Sequence, residues 1–112
     1  MKRYGMVVGV AEDKVDEYKT LHAEVWPSVL KIISACHIQN YSIYFRELEP
    51  GAFYLFSYFE YVGDHFEADM NIMAADPETQ KWWAVCVPCL KPLPSSPEGG
   101  VWANMEEVFH YD

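Results

Sequence analysis

The chain has 112 residues and a formal net charge of −9. That is enough for one domain, residues 1–112, and too little for two. So acidic a chain, with no cluster of Lys and Arg, excludes a phosphate-gripping nucleic-acid surface and disfavours an anionic membrane or a polyanionic substrate. A neutral small molecule is indifferent to this field. At 51% hydrophobic and 16% aromatic the chain can bury a rich core, yet no apolar run approaches the ~20 residues of a membrane span.

Residues 3–10 alternate weakly and read as a first strand. The basic then apolar start mimics a signal peptide, but Asp13, Lys14, Asp16 and Glu17 cut the apolar stretch short. The chain therefore reads as soluble and unexported. Residues 13–24 place Val15, Tyr18, Leu21, His22 and Val25 at helical spacing, with Asp13 as the expected N-cap. Trp26-Pro27 breaks that helix, and Pro27 opens a second piece through Cys36. Residues 38–46 and 52–60 read as strands joined at Glu49-Pro50-Gly51. A helix is expected over 62–75, and Asp76-Pro77 restarts one through Trp82 and Trp83. Residues 91–100 are Pro-rich and irregular, and a last strand is expected over 101–110.

The resulting order, β-α-β-β-α-β, predicts an α+β fold with a ferredoxin-like antiparallel sheet. The third strand, Ala52-Phe53-Tyr54-Leu55-Phe56-Ser57-Tyr58-Phe59, is apolar on both faces. Helices on one side of an antiparallel sheet cover only one of them. The other predicts a homodimer with sheets packed face to face about a two-fold axis.

The chemistry is concentrated at Tyr18 and His22, one turn apart on one helix face beside Trp26. An imidazole exchanges protons near neutral pH, and a phenol can fix a substrate oxygen. Tyr41 shares the parity of Ile43 and Phe45 and is expected on the helix side, with Tyr44 facing the partner. The rings of Trp82 and Trp83 diverge by roughly 100° around a helix, so one suits the core and the other a cleft edge. Asn104, Glu106 and Glu107 lie on the expected last strand, and alternation turns one of the two carboxylates inward.

Cysteines number three, Cys36, Cys86 and Cys89, an odd set that builds no disulfide framework. Cys86-Val87-Pro88-Cys89 matches C-x-x-C, but it closes a helix where the dipole disfavours a thiolate. The thiols read as reduced and structural, in a cytoplasmic chain. His22, His37, His65 and His110 are scattered without metal-ligand spacing, so no metal is expected. Phosphate-loop, G-x-S-x-G and Cys–His nucleophile motifs are all missing. Proton transfer without a cofactor is the chemistry that remains.

Tyr18-x-x-x-His22-x-x-x-Trp26-Pro27, Asn40-Tyr41-Ser42-Ile43-Tyr44, Trp82-Trp83 and Glu106-Glu107-Val108-Phe109 together resemble the L-rhamnose mutarotases over nearly the whole chain. The resemblance implies a dimeric α+β barrel and interconversion of the α and β anomers of a 6-deoxy sugar. It implies His22 as proton donor and Tyr18, Tyr41, Trp82 and Trp83 as sugar-binding residues. Stretches 63–80 and 91–100 depart from the family, and loops of this kind set sugar choice between L-rhamnose and L-fucose. Two other classes use the same scaffold: a cofactor-free or haem-using monooxygenase, and a small-ligand-binding domain.

Overall fold

The computed structural model describes residues 1–112. Strand β1 (Lys2–Val10) leads through a 3₁₀ turn (Glu12–Lys14) into helices α1 (Val15–Ala23) and α2 (Pro27–Ala35). Strands β2 (Ile38–Glu49) and β3 (Ala52–Tyr61) follow, then helices α3 (Phe66–Ala75) and α4 (Pro77–Cys86). Two short strands, β4 (Leu90–Lys91) and β5 (Ala103–Met105), complete a mixed α+β fold. The sheet is antiparallel in the order β2-β3-β1-β4, and β5 also pairs with β1.

The turn between β2 and β3 falls at Pro50-Gly51, with Gly51 at φ +82°, a left-handed conformation that glycine adopts freely. The second required glycine is Gly9. A Cβ there would stand 2.9 Å from the Lys91 carbonyl oxygen, so only glycine lets β4 come close enough to pair.

Alternation along β3 splits the sheet into two faces. Leu55, Ser57, Phe59 and Tyr61 are buried beneath the helices. The core forms there, as Val8, Val10, Tyr18, Val29, Leu55 and Trp82 around one end and Cys36, Ile38, Phe59, Tyr61 and Met73 around the other. Tyr54, Phe56 and Tyr58 stand on the opposite face, half-buried and outside both core clusters.

In β2 the register against β3 slips between Gln39 and Ser42, with Asn40 at φ +50°. This bulge moves the helix-facing positions from Ile38 to Tyr41, Ile43 and Phe45. Tyr41 then tilts against Phe59 at 5.5 Å, and Phe45 lies under the Lys19 ammonium of α1 at 4.4 Å. Tyr44 faces the other way and is 65% exposed.

Helix α4 starts as its sequence demands. The Asp76 carboxylate accepts the Thr79 N–H at 2.8 Å and the Thr79 hydroxyl at 2.9 Å, and Pro77 takes the first helical position. Helix α3 is held at its start by Asp69, which accepts from the Tyr61 hydroxyl and from His37 Nδ1, the latter at 3.0 Å. Those two bonds hold the Asp69 carboxyl below its ordinary pKa, Tyr61 contributing most.

Three expectations are corrected. Asp13 does not cap α1: it sits inside the 3₁₀ turn, whose first residues are tied down by Ala11 N–H bonding to Cys89 O at 2.9 Å, and α1 begins at Val15 with no side-chain cap. The helix expected from residue 62 begins at Phe66. Val62 N–H still bonds in strand fashion to His37 O at 2.9 Å, and the Tyr61 hydroxyl accepts the His65 N–H at 3.0 Å. The last strand spans only Ala103–Met105 of the expected 101–110, because pairing to β1 stops at Met105. Beyond it Arg3 takes Glu107 in a two-pronged ion pair at 2.9 and 3.1 Å, a side-chain hold that replaces backbone pairing.

Candidate active site

Between the helices and the inner sheet face lies a cavity of about 950 Å³ with predominantly apolar walls. Tyr18, His22, Tyr41, Trp82 and Trp83 all line it. Five residues from α1, β2 and α4, up to 65 positions apart in the chain, thus share one space.

Each is placed by local rules. Tyr18 and His22, four apart on α1, stack with centroids 4.0 Å apart. The Trp-Pro break turns the chain so that Trp26, just before α2, forms a T-shaped pair with Trp82, centroids 5.1 Å apart. Trp82 in turn forms a T-shaped pair with His22, ring centroids 5.2 Å apart. Trp82 is 6% exposed and plugs the core, whereas its neighbour Trp83 is 40% exposed and lines the cavity rim. Adjacent helical positions diverge in this way.

The proton inventory follows from the hydrogen bonds. His22 Nδ1 lies 3.0 Å from the Tyr18 carbonyl oxygen. A carbonyl only accepts, so the proton sits on Nδ1 and Nε2 carries the lone pair. Burial pushes the His22 pKa down, partly offset by that carbonyl bond. The imidazole is accordingly neutral at physiological pH, with one basic nitrogen free. Tyr18 and Tyr41 shift the other way: burial raises both phenols, so each stays a protonated donor rather than a base. For Tyr18 the Tyr41 hydroxyl adds a second, smaller push in the same direction.

Cys86 also borders the cavity, and burial lifts its thiol to about 12. Cys89 is fully buried, donates to Glu17 Oε2 at 3.1 Å, and is pushed up to about 11. Both are therefore thiols rather than thiolates, and all three cysteines are free. No cluster of three or more His, Cys, Asp or Glu side chains is arranged to hold a metal ion.

The expected inward carboxylate is a correction. Glu106 and Glu107 are both exposed and absent from the cavity wall, since the strand that would have alternated them ends at Met105. Asn104 does line the cavity, opposite Met6. Trp102 was missed by sequence reasoning and lines it as well, beside Gly99 and Gly100. The only signal for it was an indole at the end of a Pro-rich loop, which reads equally well as packing.

With this geometry in hand, a family model described as L-rhamnose mutarotase matches residues 3–111. The chain belongs to the L-rhamnose mutarotase family. Relatives include the L-rhamnose mutarotases of Oceanobacillus iheyensis, 36% identical over 112 residues, and of Bacillus subtilis, 34% identical over 112 residues, each covering the whole of both chains. That of Lactiplantibacillus plantarum is 33% identical over 114 residues, again over the full length of both. The crystal structure of L-rhamnose mutarotase FA22100 from Formosa agariphila superposes with a TM-score of 0.75 across the whole of both chains at 21% identity, a likeness of fold. Of the residues by which this chain resembles the family, Tyr18, His22, Tyr41, Ile43, Trp82 and Trp83 meet in the cavity, whereas Tyr44, Glu106 and Glu107 lie outside it.

Proposed function

We propose that this chain is an isomerase that interconverts the α and β anomers of L-rhamnose, without a cofactor, in the cytoplasm. The relatives' names support the substrate, and the buried free thiols suit a reducing compartment. One observation carries the mechanism: His22 has its Nδ1 proton committed to the Tyr18 carbonyl and its Nε2 free within a cavity walled by aromatic rings.

Anomerisation moves one proton out and one proton in. The O1 proton leaves, C1=O forms, the C1–O5 bond breaks and O5 gains a proton. Rotation about C1–C2 and reversal of these steps gives the other anomer. O1 and O5 share C1, so one imidazole nitrogen reaches both. Neutral His22 takes the O1 proton on Nε2, and the imidazolium so formed is the proton donor to O5. The Tyr18 and Tyr41 hydroxyls donate to sugar oxygens, and Trp82 and Trp83 offer flat apolar surface to the C–H face of the ring. Saturation transfer between the anomeric protons of L-rhamnose tests this. Exchange should rise in proportion to protein concentration, and a rate no faster than buffer alone would overturn the assignment. A parallel run with L-fucose ranks the two sugars.

The strand order β2-β3-β1-β4 supports a ferredoxin-like half of a dimeric α+β barrel. The homodimer forms through the outer sheet face, where Val7, Tyr44, Phe56 and Tyr58 would otherwise meet water. The tail adds further uncovered apolar surface: Val108, Phe109 and Tyr111 are 85, 80 and 84% exposed. Phe56→Asp buries an unpaired carboxylate at this seam. Its dimer should dissociate at least about 100-fold more readily, the several kcal/mol of such a burial. Sedimentation velocity reads the result, and a wild-type protein sedimenting as a monomer would remove the dimer.

A further inference from the structure

One buried side-chain polar atom in this protein has no hydrogen-bond partner: the Ser57 hydroxyl. Ser57 is only 3% exposed, on the helix-facing side of β3. Its surroundings are apolar. Leu55 and Phe59 flank it along the strand, and Met6 and Ile43 are its cross-strand partners. A buried hydroxyl without a partner loses its bonds to water and gains nothing in return. Alanine would fill nearly the same space without that loss, so small size alone does not account for serine here.

The position of Ser57 accounts for it. Met6, Ile43 and Phe59, three of its four neighbours on this face, all line the cavity, so Ser57 lies beside the cavity floor without itself lining it. On the far side of Met6 the floor continues with Asn104, another cavity residue. Met6, its cross-strand partner, is unbranched and flexible and moves at little cost, whereas Ile43 is stiff.

We propose that Ser57 is a further sugar-binding residue of this cavity, its hydroxyl meeting a hydroxyl of the sugar when the Met6 side chain swings aside. The inference rests on the mutarotase reading and adds a polar anchor on the sheet, opposite the donors carried by α1. It contributes to binding and moves no proton.

Ser57→Ala separates this role from a structural one. Removing an orphaned hydroxyl leaves Tm unchanged or raised. Losing a sugar hydrogen bond raises the Kd for L-rhamnose, titrated by protein NMR, and the KM for anomeric exchange by about 3–10-fold with kcat little changed. A Kd equal to wild type overturns the proposal, and so does a fall in Tm with Kd unchanged, which would make the hydroxyl structural. The parent reading fails separately. Wild-type protein that binds L-rhamnose but does not speed its exchange would refute mutarotase activity while Kd still tests Ser57. Wild-type protein that does not bind L-rhamnose overturns both.

Discussion

His22→Ala should lower the enzyme-dependent rate of anomeric exchange by about 10²–10⁴-fold, the usual worth of one positioned acid–base group. The fold should survive, because His22 is half-buried at the cavity wall and its one hydrogen bond goes to a carbonyl of its own helix. The loss should fall on kcat. The proposed sugar-binding residues Tyr18, Tyr41, Trp82 and Trp83 are all still present, so KM should move little. His22→Gln is the sharper variant. It keeps size and polarity but has no titratable nitrogen, and it should be as inactive as alanine. Exchange at the wild-type rate in either variant would remove His22 from the chemistry.

The pH profile carries the same information. Burial lowers the His22 pKa from its ordinary value near 6.5. In the proposed mechanism the active form is the neutral one, so kcat/KM should be flat through neutral pH and fall only on the acid side, with a midpoint below 6.5. The linked effect on stability has a definite sign. As pH falls through 6.5 the unfolded chain protonates this imidazole while the folded chain still resists, so the unfolded state binds more protons and stability declines. The decline stops once the folded imidazole is also protonated. His22→Gln should remove both the acid limb of the activity and this share of the acid sensitivity.

How much of this was legible in the sequence depended on the range of the interaction. Asp76-Pro77 was readable because a cap and a first-turn proline act within four residues. The shared face of Tyr18 and His22 followed from helical spacing alone. The side taken by Tyr41 was legible only from Ile43 and Phe45. Counted from Ile38 it points the wrong way, since the bulge at Asn40 inverts parity and leaves no mark beyond an asparagine tolerant of positive φ. The late start of α3 was hidden because the Tyr61 hydroxyl, four residues away, takes the His65 N–H. The early end of β5 was hidden because β1 divides its second edge between two short partners, a fact of topology. Ser57 looked like an ordinary strand residue. Its isolation among Met6, Ile43, Leu55 and Phe59 exists only once three strands are in register.

The two neighbouring tryptophans should separate stability from binding. Trp82→Ala empties a site that is 6% exposed and backed by Trp26 and His22. Truncating a buried tryptophan costs about 3–5 kcal/mol. A domain of this size has about 5–15 kcal/mol in all, so Tm should drop by roughly 10–25 °C. Activity should fall further than the folded fraction explains, because the His22 ring packs against Trp82 as well as Tyr18. Trp82→Phe keeps an aromatic edge and should recover most of both losses. Trp83→Ala should behave otherwise. Its ring is 40% exposed at the rim, so Tm should shift little, while the KM for L-rhamnose rises by about 3–10-fold as one flat face is lost. Thermal melts and exchange kinetics on the three variants read the contrast. If both alanine variants melted alike and bound sugar alike, the division of labour between core plug and cavity rim would be wrong, and with it the proposal that α4 holds the His22 imidazole in place for proton transfer.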